Sequence, residues 1–454
     1  MTTESIPAES GKRLTLDDLG PLIRLGTVST VMVVIPDMLG RLKGKRVSGL
    51  ALLERLSDGD GTHVADACSY LLATNADMDP LSGFDLTSWD DGYHDMRVVA
   101  DWSTLRVLPY MPGLALVHCD AMDDDGAFIE VAPRQMLRRQ LERLAELGVE
   151  ARLGLESEFV LHGEDGQPVM DRNMDYDLDH PPRVADFFGY LEHALRDAGV
   201  PPETLKTEGG KGQTEITFRY GDVMRACDDY TVYKHCVKHL ARRYGMTASF
   251  MDSPVTGVTS GLHQHLSLWR DGQPLFASRS RRDLPTEALS QSIAGLITAM
   301  PHLAPLIAQS TNSYKRFVTP HSFAPQFMNW GTDNRGCAIR VTGHGDGTHL
   351  ENRLPGGSAN PYLAAAASLA AIAHGLDEKL TPPPPCLGNA YTDGESAPLH
   401  GDLSDALRDF QSNRLAHELL GTEVVVHYSR AAQAEVDRQR SKVTDVEREL
   451  LSLA

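Results

Sequence analysis

Residues 153–161, LGLESEFVL, are a short apolar run with two glutamates, Glu156 and Glu158, set into it. In an extended strand successive side chains point to opposite faces, so residues two apart share one. The two carboxylates therefore sit side by side on a strand that otherwise reads as buried. Like charges that close raise each other's pKa and repel unless a cation lies between them. An ExE strand by itself is more often a solvated edge, and the rest of the chain decides between that and a metal site.

Three further stretches repeat the two-residue spacing or come near it. GLHQHLSLW (261–269) puts His263 and His265 on one strand face, and HLENRLPG (349–356) puts Glu351 and Arg353 on another. TEGGKGQTEITFRY (207–220) carries Glu208 and Glu215 across a glycine-rich turn. Glutamates and an imidazole converging on one place suit a hard divalent cation such as Mg²⁺ or Mn²⁺. Arg316, Arg335, Arg340 and Arg353 add guanidinium forks that match phosphate and carboxylate oxygens. Metals with several arginines point to phosphoryl transfer, where catalysis is mostly charge neutralisation and positioning. The chain has no GxxxxGK[ST] loop and no kinase HRD or DFG set, so a nucleotide would be held another way.

At 454 residues the chain exceeds the size at which a single core usually stops growing, which predicts two domains. Apolar content of 41% and charged content of 23% are ordinary for a globular protein. The formal charge of −19 argues against a nucleic-acid partner, which would call for a basic face. Cys68, Cys119, Cys227, Cys236, Cys337 and Cys386 form no CxxC pair, so neither a zinc site nor a disulfide framework is expected. MTTESIPAESGKRLTLDDLG (1–20) lacks a basic start followed by an apolar core. No run of about 18 apolar residues occurs. The expectation is a cytoplasmic protein with no membrane partner.

TVSTVMVVIPDMLGRLKGKRV (27–47) reads as a strand, a turn and a basic second strand, and MRVVADW (96–102) as a further strand. Pro109, Pro112 and Gly113 then mark a break, which predicts a small β-rich domain over 1–110 and a larger one over 111–454. PRQMLRRQLERLAELG (133–148) is an amphipathic helix opened by Pro133 and closed by Gly148. Beyond it helices and strands follow no regular βαβ order, so the fold class is α+β. TPPPPC (381–386) ends the alanine-rich helix NPYLAAAASLAAIAHGL (360–376) and leads to a helical subregion over 403–454.

Taken together, GLESEF, EGGKGQTEITFR, SGLHQHLSL, TNSYKRFV, DNRGCAIRV, LENRLPGGSANPYLAAAA and VTDVERE, in that order, resemble the glutamine synthetase superfamily. The resemblance implies a small N-terminal β-grasp domain and a catalytic domain whose antiparallel strands form a funnel of glutamates surrounded by helices. It also implies a ring-shaped homo-oligomer, commonly a dodecamer, with active sites shared between neighbours. On this resemblance Glu158, Glu208 and Glu215 would ligate a first metal ion, and Glu156, His263 and Glu351 a second that bridges the ATP phosphates. Arg316 and Arg353 would clamp L-glutamate, while Arg335 and Arg340 would contact the transferring phosphate. His265 and Ser267 would lie near the nucleotide, with Glu203 and Tyr220 at its ribose and adenine. The implied chemistry is phosphorylation of glutamate by ATP to γ-glutamyl phosphate, followed by attack of an amine.

The chain departs from the family's pattern in places that bear on the amine. VTPHSFAPQF (318–327) has Phe323 before Ala324 and Pro325, where glutamine synthetases place a glutamate that helps bind ammonium and close the site. A phenylalanine cannot bind a cation by charge, but it can pack on an alkyl chain or offer a ring face to an ammonium. With Trp89 in SWDDGYHD (88–95), it resembles the γ-glutamyl-amine ligases, among them the γ-glutamylethanolamide and γ-glutamylpolyamine synthetases. A primary ammonium with a pKa of about 10.4 is almost wholly protonated at neutral pH, so some group must take its proton. Asp85 and Asp95 resemble the family's aspartates that reach the site from a neighbouring subunit. Val258 and Thr259 stand where the family usually has Asn-Gly, and His349 where an arginine commonly touches phosphate. Two alternatives therefore stay open: a glutamine synthetase using ammonia, and an impaired relative that senses nitrogen or amines.

Overall fold

The computed structural model describes residues 13–58, 61–277 and 285–451. The reading of residues 1–20 falls largely on 1–12, outside the described residues, and the 403–454 subregion ends outside them at 452–454.

The first sheet comprises β1 (Thr30–Pro36), β2 (Leu42–Ser48), β3 (His63–Cys68), β4 (Asp95–Ala100), β5 (Arg106–Val107) and β6 (Leu114–Met122). Its order is β2-β1-β6-β4-β3, with β5 also on β6. The hairpin read at 27–47 is there: β1 and β2 pair antiparallel. The centre of the sheet is β6, which runs parallel to β1 and antiparallel to β4. This central strand follows the proline-marked stretch read at 109–113.

The second sheet comprises β7 (Glu150–Gly163), β8 (Pro202–Thr207), β9 (Gln213–Phe218), β10 (Gly221–Asp222), β11 (Met246–Ser249), β12 (Leu262–Arg270), β13 (Gln273–Pro274), β14 (Trp330–Thr332), β15 (Ile339–Thr342) and β16 (His349–Asn352). Its main path is β14-β15-β16-β12-β7-β9-β8, antiparallel except for β14 on β15. The alternation along β7 divides its two faces. Leu153, Leu155, Ser157, Phe159 and Leu161 are buried in the core, and Glu156 and Glu158 point the other way.

Helices Val223–Arg243 and Pro361–Asp377 cover the core face. Phe159 packs on Tyr233 of the first at 6.5 Å between rings. From the second, the Ser368 hydroxyl donates to Gln264 Oε1 (2.6 Å) and accepts from Asn352 Nδ2 (3.0 Å), pinning the helix to β12 and β16. Helix Glu287–Ala299 crosses that helix at Gly295 and Gly375, where a Cβ on Gly295 would lie 2.1 Å from the Ala371 carbonyl oxygen. Only glycine allows so close an approach.

Helix Pro133–Glu146, with proline in its first turn and Gly148 beyond its end at φ +70°, joins the two sheets. Its Arg134 is buried and reaches Asp101 (2.8 Å) and Asp120 (3.3 Å) of the first unit and Asp228 (3.2 Å) on helix Val223–Arg243. Asn360, the N-cap of helix Pro361–Asp377, donates to the carbonyls of Asp37 and Met38 at 3.1 Å each.

Candidate active site

Strand register assembles the site. On β7, Glu156 stands opposite His263 of β12, and Glu158 opposite Glu215 of β9. A second line runs across four strands: Arg340 on β15, Glu351 on β16, His265 on β12 and Gly154 on β7. The three acidic or histidine-bearing stretches that the sequence sets at two-residue spacing thus meet on one face.

The contacts are close. His263 Nδ1 lies 2.6 Å from Glu156 Oε1 and 3.5 Å from Glu351 Oε1, and its Nε2 lies 3.9 Å from Glu158. His265 Nε2 is 3.5 Å from Glu156 Oε2. Among the described residues two sets have potential ligand atoms mutually within 4.8 Å: Glu156, Glu158 and His263, and Glu156, His265 and Glu351. Glu208 and Glu215 gather instead around Lys206, which bonds to Glu208 and lies 3.7 Å from Glu215.

The electrostatics follow from this packing. Burial raises the Glu158 carboxyl, and the neighbouring Glu208 and Glu156 raise it further against the opposing pull of His263. Glu215 is lifted far above the ordinary carboxylate range by burial, by Glu156 and by its hydrogen bond with Glu208. Burial would raise Glu208, but the hydrogen bonds from Lys206, Glu215 and the Gly209 N–H, with the Lys206 charge, together move it down, so one proton stays between the pair on Glu215. Burial would raise Glu156 as well, yet the hydrogen bonds from His263 and His265 hold it well below its usual range. Against the cost of burial, Arg353 and the two histidines hold Glu351 down at about 2.

Beside the carboxylates lies a cavity of about 380 Å³, lined by Glu156, Glu158, Glu208, Glu215 and His263 together with Arg316, Arg335, Arg353 and Phe323. Arg316 is buried and donates to the carbonyls of Leu354 (2.8 Å) and Arg353 (3.3 Å). Arg353 bonds to Glu351 and donates to the Phe323 carbonyl at 3.3 Å. Arg335 is exposed at the cavity. The Phe323 ring is 64% exposed on a backbone at φ +59°. Val258 and Thr259 also line the cavity, the Thr259 carbonyl accepting from Gln213 Nε2 at 2.9 Å.

Other residues read from the sequence stand around this centre. Arg340 pairs with Glu351 (2.8 Å) and Asp333 (2.5 Å). His349 Nε2 lies 3.0 Å from His265 Nδ1, and burial lowers its pKa. Ser267 shares the face of His263 and His265, and its Oγ accepts from Trp269 Nε1 at 2.9 Å. Glu203 is exposed on β8. Tyr220 lines a different cavity of about 320 Å³, shared with the core-facing Leu155 and with Tyr230.

Asp85, Trp89 and Asp95 are not brought to the carboxylates within one chain. All three are exposed: Asp85 accepts from Arg430 Nη1 at 2.7 Å, Trp89 stacks edge-on against Tyr93 at 4.9 Å, and Asp95 opens β4.

Sequence reasoning missed Lys206 and Gln213. Lys206 is two residues before Glu208, so the spacing used for Glu156 and Glu158 was available there too. Gln213 gave no signal; its Nε2 donates to Glu158 Oε2 at 2.6 Å.

The family model for the glutamine synthetase catalytic domain matches residues 130–451. Gamma-glutamylethanolamide synthetase GlnA4 of Streptomyces coelicolor is 39% identical, over 98% of this chain and 97% of its own length. Glutamate–isopropylamine ligase of a Pseudomonas species is 31% identical over 92% and 94%, and the glutamine synthetase of Thermus thermophilus 34% identical over 77% and 83%. Among solved structures, a GmaS–ADP complex superposes with a TM-score of 0.83 at 27% identity, covering 95% of this chain and 98% of that one.

Proposed function

The chain belongs to the glutamine synthetase family, and on that premise we propose that it is an ATP-dependent carbon–nitrogen ligase joining the γ-carboxyl of L-glutamate to a primary organic amine. The observation that carries the amine is Phe323: an exposed ring, without charge, in the wall of the cavity that also holds the carboxylates and three arginines. The two amine-ligase relatives support the same reading.

The donor set fits divalent metal. Its groups are carboxylates and imidazole with no thiolate, and Glu158 and Glu215 stand opposite one another on neighbouring strands. By family analogy Glu158, Glu208 and Glu215 would hold one ion, and Glu156, His263 and Glu351 a second; the geometry supports the reading in bringing Glu156 within one ion's reach of Glu158 and His263, and of His265 and Glu351. Mg²⁺ is the expected ion and Mn²⁺ the alternative. Bound there, divalent ions offset the charge of the phosphates and of the carboxylate being activated.

The chain's own residues do the rest. Arg316 and Arg353, anchored by backbone carbonyls and by Glu351, present fixed cations to glutamate, and Arg335 offers a more mobile one to the phosphate in transfer. Arg340, held by Glu351 and Asp333, would make a second phosphate contact, with His265 and Ser267 serving the nucleotide. Glu203 and Tyr220 are the candidates for ribose and adenine. Attack on γ-glutamyl phosphate needs an unprotonated amine aligned with the acyl carbon. Asp85 or Asp95, exposed here, would take the proton in the site of an adjoining copy, which makes the enzyme a homo-oligomer, a dodecamer by family analogy. Among the described residues no helix is long and apolar enough to cross a membrane, and an ATP-consuming ligase of small metabolites fits the cytoplasm.

Phosphate release from ATP, Mg²⁺ and glutamate, with ammonium, methylamine, ethanolamine, putrescine, spermidine or no amine, tests the reading. Release stimulated by an organic amine above ammonium is the expected result. Ammonium as the best substrate would return the chain to the glutamine synthetases, and no stimulation by any amine would favour the sensor.

A further inference from the structure

Lys206 is a cation set among the carboxylates of the site, and its surroundings explain why it is there. It lies on β8 directly opposite Glu215 of β9 and shares a face with Glu208, two residues on. Its Nζ bonds to Glu208, lies 3.7 Å from Glu215 and 3.9 Å from Asp175, and sits over the Tyr176 ring at 4.4 Å. Carboxylates closed by an aromatic face are the general chemistry of ammonium recognition. Here the protein's own lysine is the occupant.

The nest is built rather than incidental. Tyr176 holds φ +57°, a conformation uncommon for a bulky residue, and its N–H donates to the Thr207 carbonyl at 3.3 Å, next to Lys206. The Thr207 hydroxyl donates in turn to the Met174 carbonyl, fixing the loop that carries the ring. Asp175 and Tyr176 stand outside the carboxylate and histidine set assigned to metal. The lysine ammonium therefore keeps two partners when a divalent cation draws on Glu208 and Glu215.

We propose that Lys206 sets the class of amine. Its ammonium fills the cation nest in the cavity wall, so amines with an uncharged tail are accepted while free ammonium and diamines are turned away. A small ammonium finds its place taken, and the second charge of a diamine meets a fixed like charge whose carboxylate partners are engaged. This rests on the amine-ligase reading and narrows it to monoamines such as ethanolamine.

The test uses full-length, Mg²⁺-loaded Lys206→Met and Lys206→Arg proteins with ethanolamine, ammonium and putrescine. Removing a like charge at an occupied site is worth a tenfold change or more. The putrescine-to-ethanolamine and ammonium-to-ethanolamine ratios of kcat/KM should each rise at least about tenfold in Lys206→Met, and Lys206→Arg should keep the wild-type ratios. Without ATP, putrescine should raise the melting temperature of Lys206→Met and leave the wild type unmoved, while Mn²⁺ titration checks that metal binding survives. Should Lys206→Met fail to fold, Lys206→Gln carries the same comparison. Unchanged ratios with ethanolamine activity intact overturn the role of Lys206 and leave the ligase reading standing. A wild-type protein that responds to no organic amine removes the ligase reading and this inference with it.

Discussion

Glu158 and Glu215 face one another in register across β7 and β9, two acids in a pairing where sheets ordinarily avoid like charges. Burial, Glu156 and the hydrogen bond with Glu208 lift the Glu215 carboxyl far above the ordinary carboxylate range, so it keeps its proton near neutral pH.

Metal binding must therefore release that proton. Calorimetry of Mg²⁺ or Mn²⁺ binding in buffers of different ionisation enthalpy should register proton release near neutral pH, and affinity should rise with pH. The sign for stability is also fixed. Glu215 has a folded pKa above its unfolded value of about 4.3, so the metal-free protein loses stability as pH rises above that value. Saturating metal should flatten this slope; a slope unchanged by metal would place the ion elsewhere. Glu351, held at about 2, acts in the opposite sense: its contribution is present above the unfolded pKa and is lost as pH falls toward 2.

Arg316→Lys should separate binding from folding. The lysine keeps the charge but cannot reproduce the fork onto the Leu354 and Arg353 carbonyls. It also loses the guanidinium's hydrogen bond to the glutamate carboxylate; a hydrogen bond to a charged group is worth about 1.5–3 kcal/mol, which corresponds to a roughly ten- to hundredfold rise in KM for glutamate. An unchanged KM would remove Arg316 from glutamate binding.

Phe323→Glu puts a carboxylate where glutamine synthetases carry one. Ammonium-stimulated phosphate release should rise and that with ethanolamine fall. The side chain is exposed, so the melting temperature should shift little. Lost ethanolamine activity without any gain for ammonium would show that Phe323 shapes the pocket but does not choose the nucleophile.

Asp85 has a partner in its own chain, Arg430, across an exposed pair. Such pairs contribute about 0–1 kcal/mol, so Asp85→Asn should leave stability nearly unchanged. If the carboxylate serves a neighbour's site, kcat falls, and subunits of Asp85→Asn mixed and reassembled with Arg316→Ala subunits regain part of the activity. Mixing without recovery would argue that Asp85 has no role across the interface.

What was legible in the sequence was local periodicity and what the motifs added to it. The alternation that set Glu156 and Glu158 on one face of their strand, and His263 and His265 on one face of theirs, survives in the structure. The hairpin at 27–47 and the helix from Pro133 were legible for the same reason, since their signals are short-range. Register between strands distant in sequence was not. Nothing in the spacing says that His265 meets His349, 84 residues on, or that Glu351 binds two arginines at once. Nor does the proline-marked stretch at 109–113 say that the strand after it pairs with β1, because that pairing is long-range. Lys206 was overlooked because a lysine near acids reads as a solvated face, and only the fold turns it inward.

Arg134 draws two of its three carboxylates, Asp101 and Asp120, from the amino-terminal unit. A fragment cut at residue 130, where the family's catalytic module begins, would strand a buried guanidinium with Asp228 alone. The catalytic module is thus a segment of shared ancestry without being a piece that can be excised. Heating the intact chain should melt both units in one cooperative step, and any attempt to miniaturise the enzyme has to keep the small sheet or replace its charges.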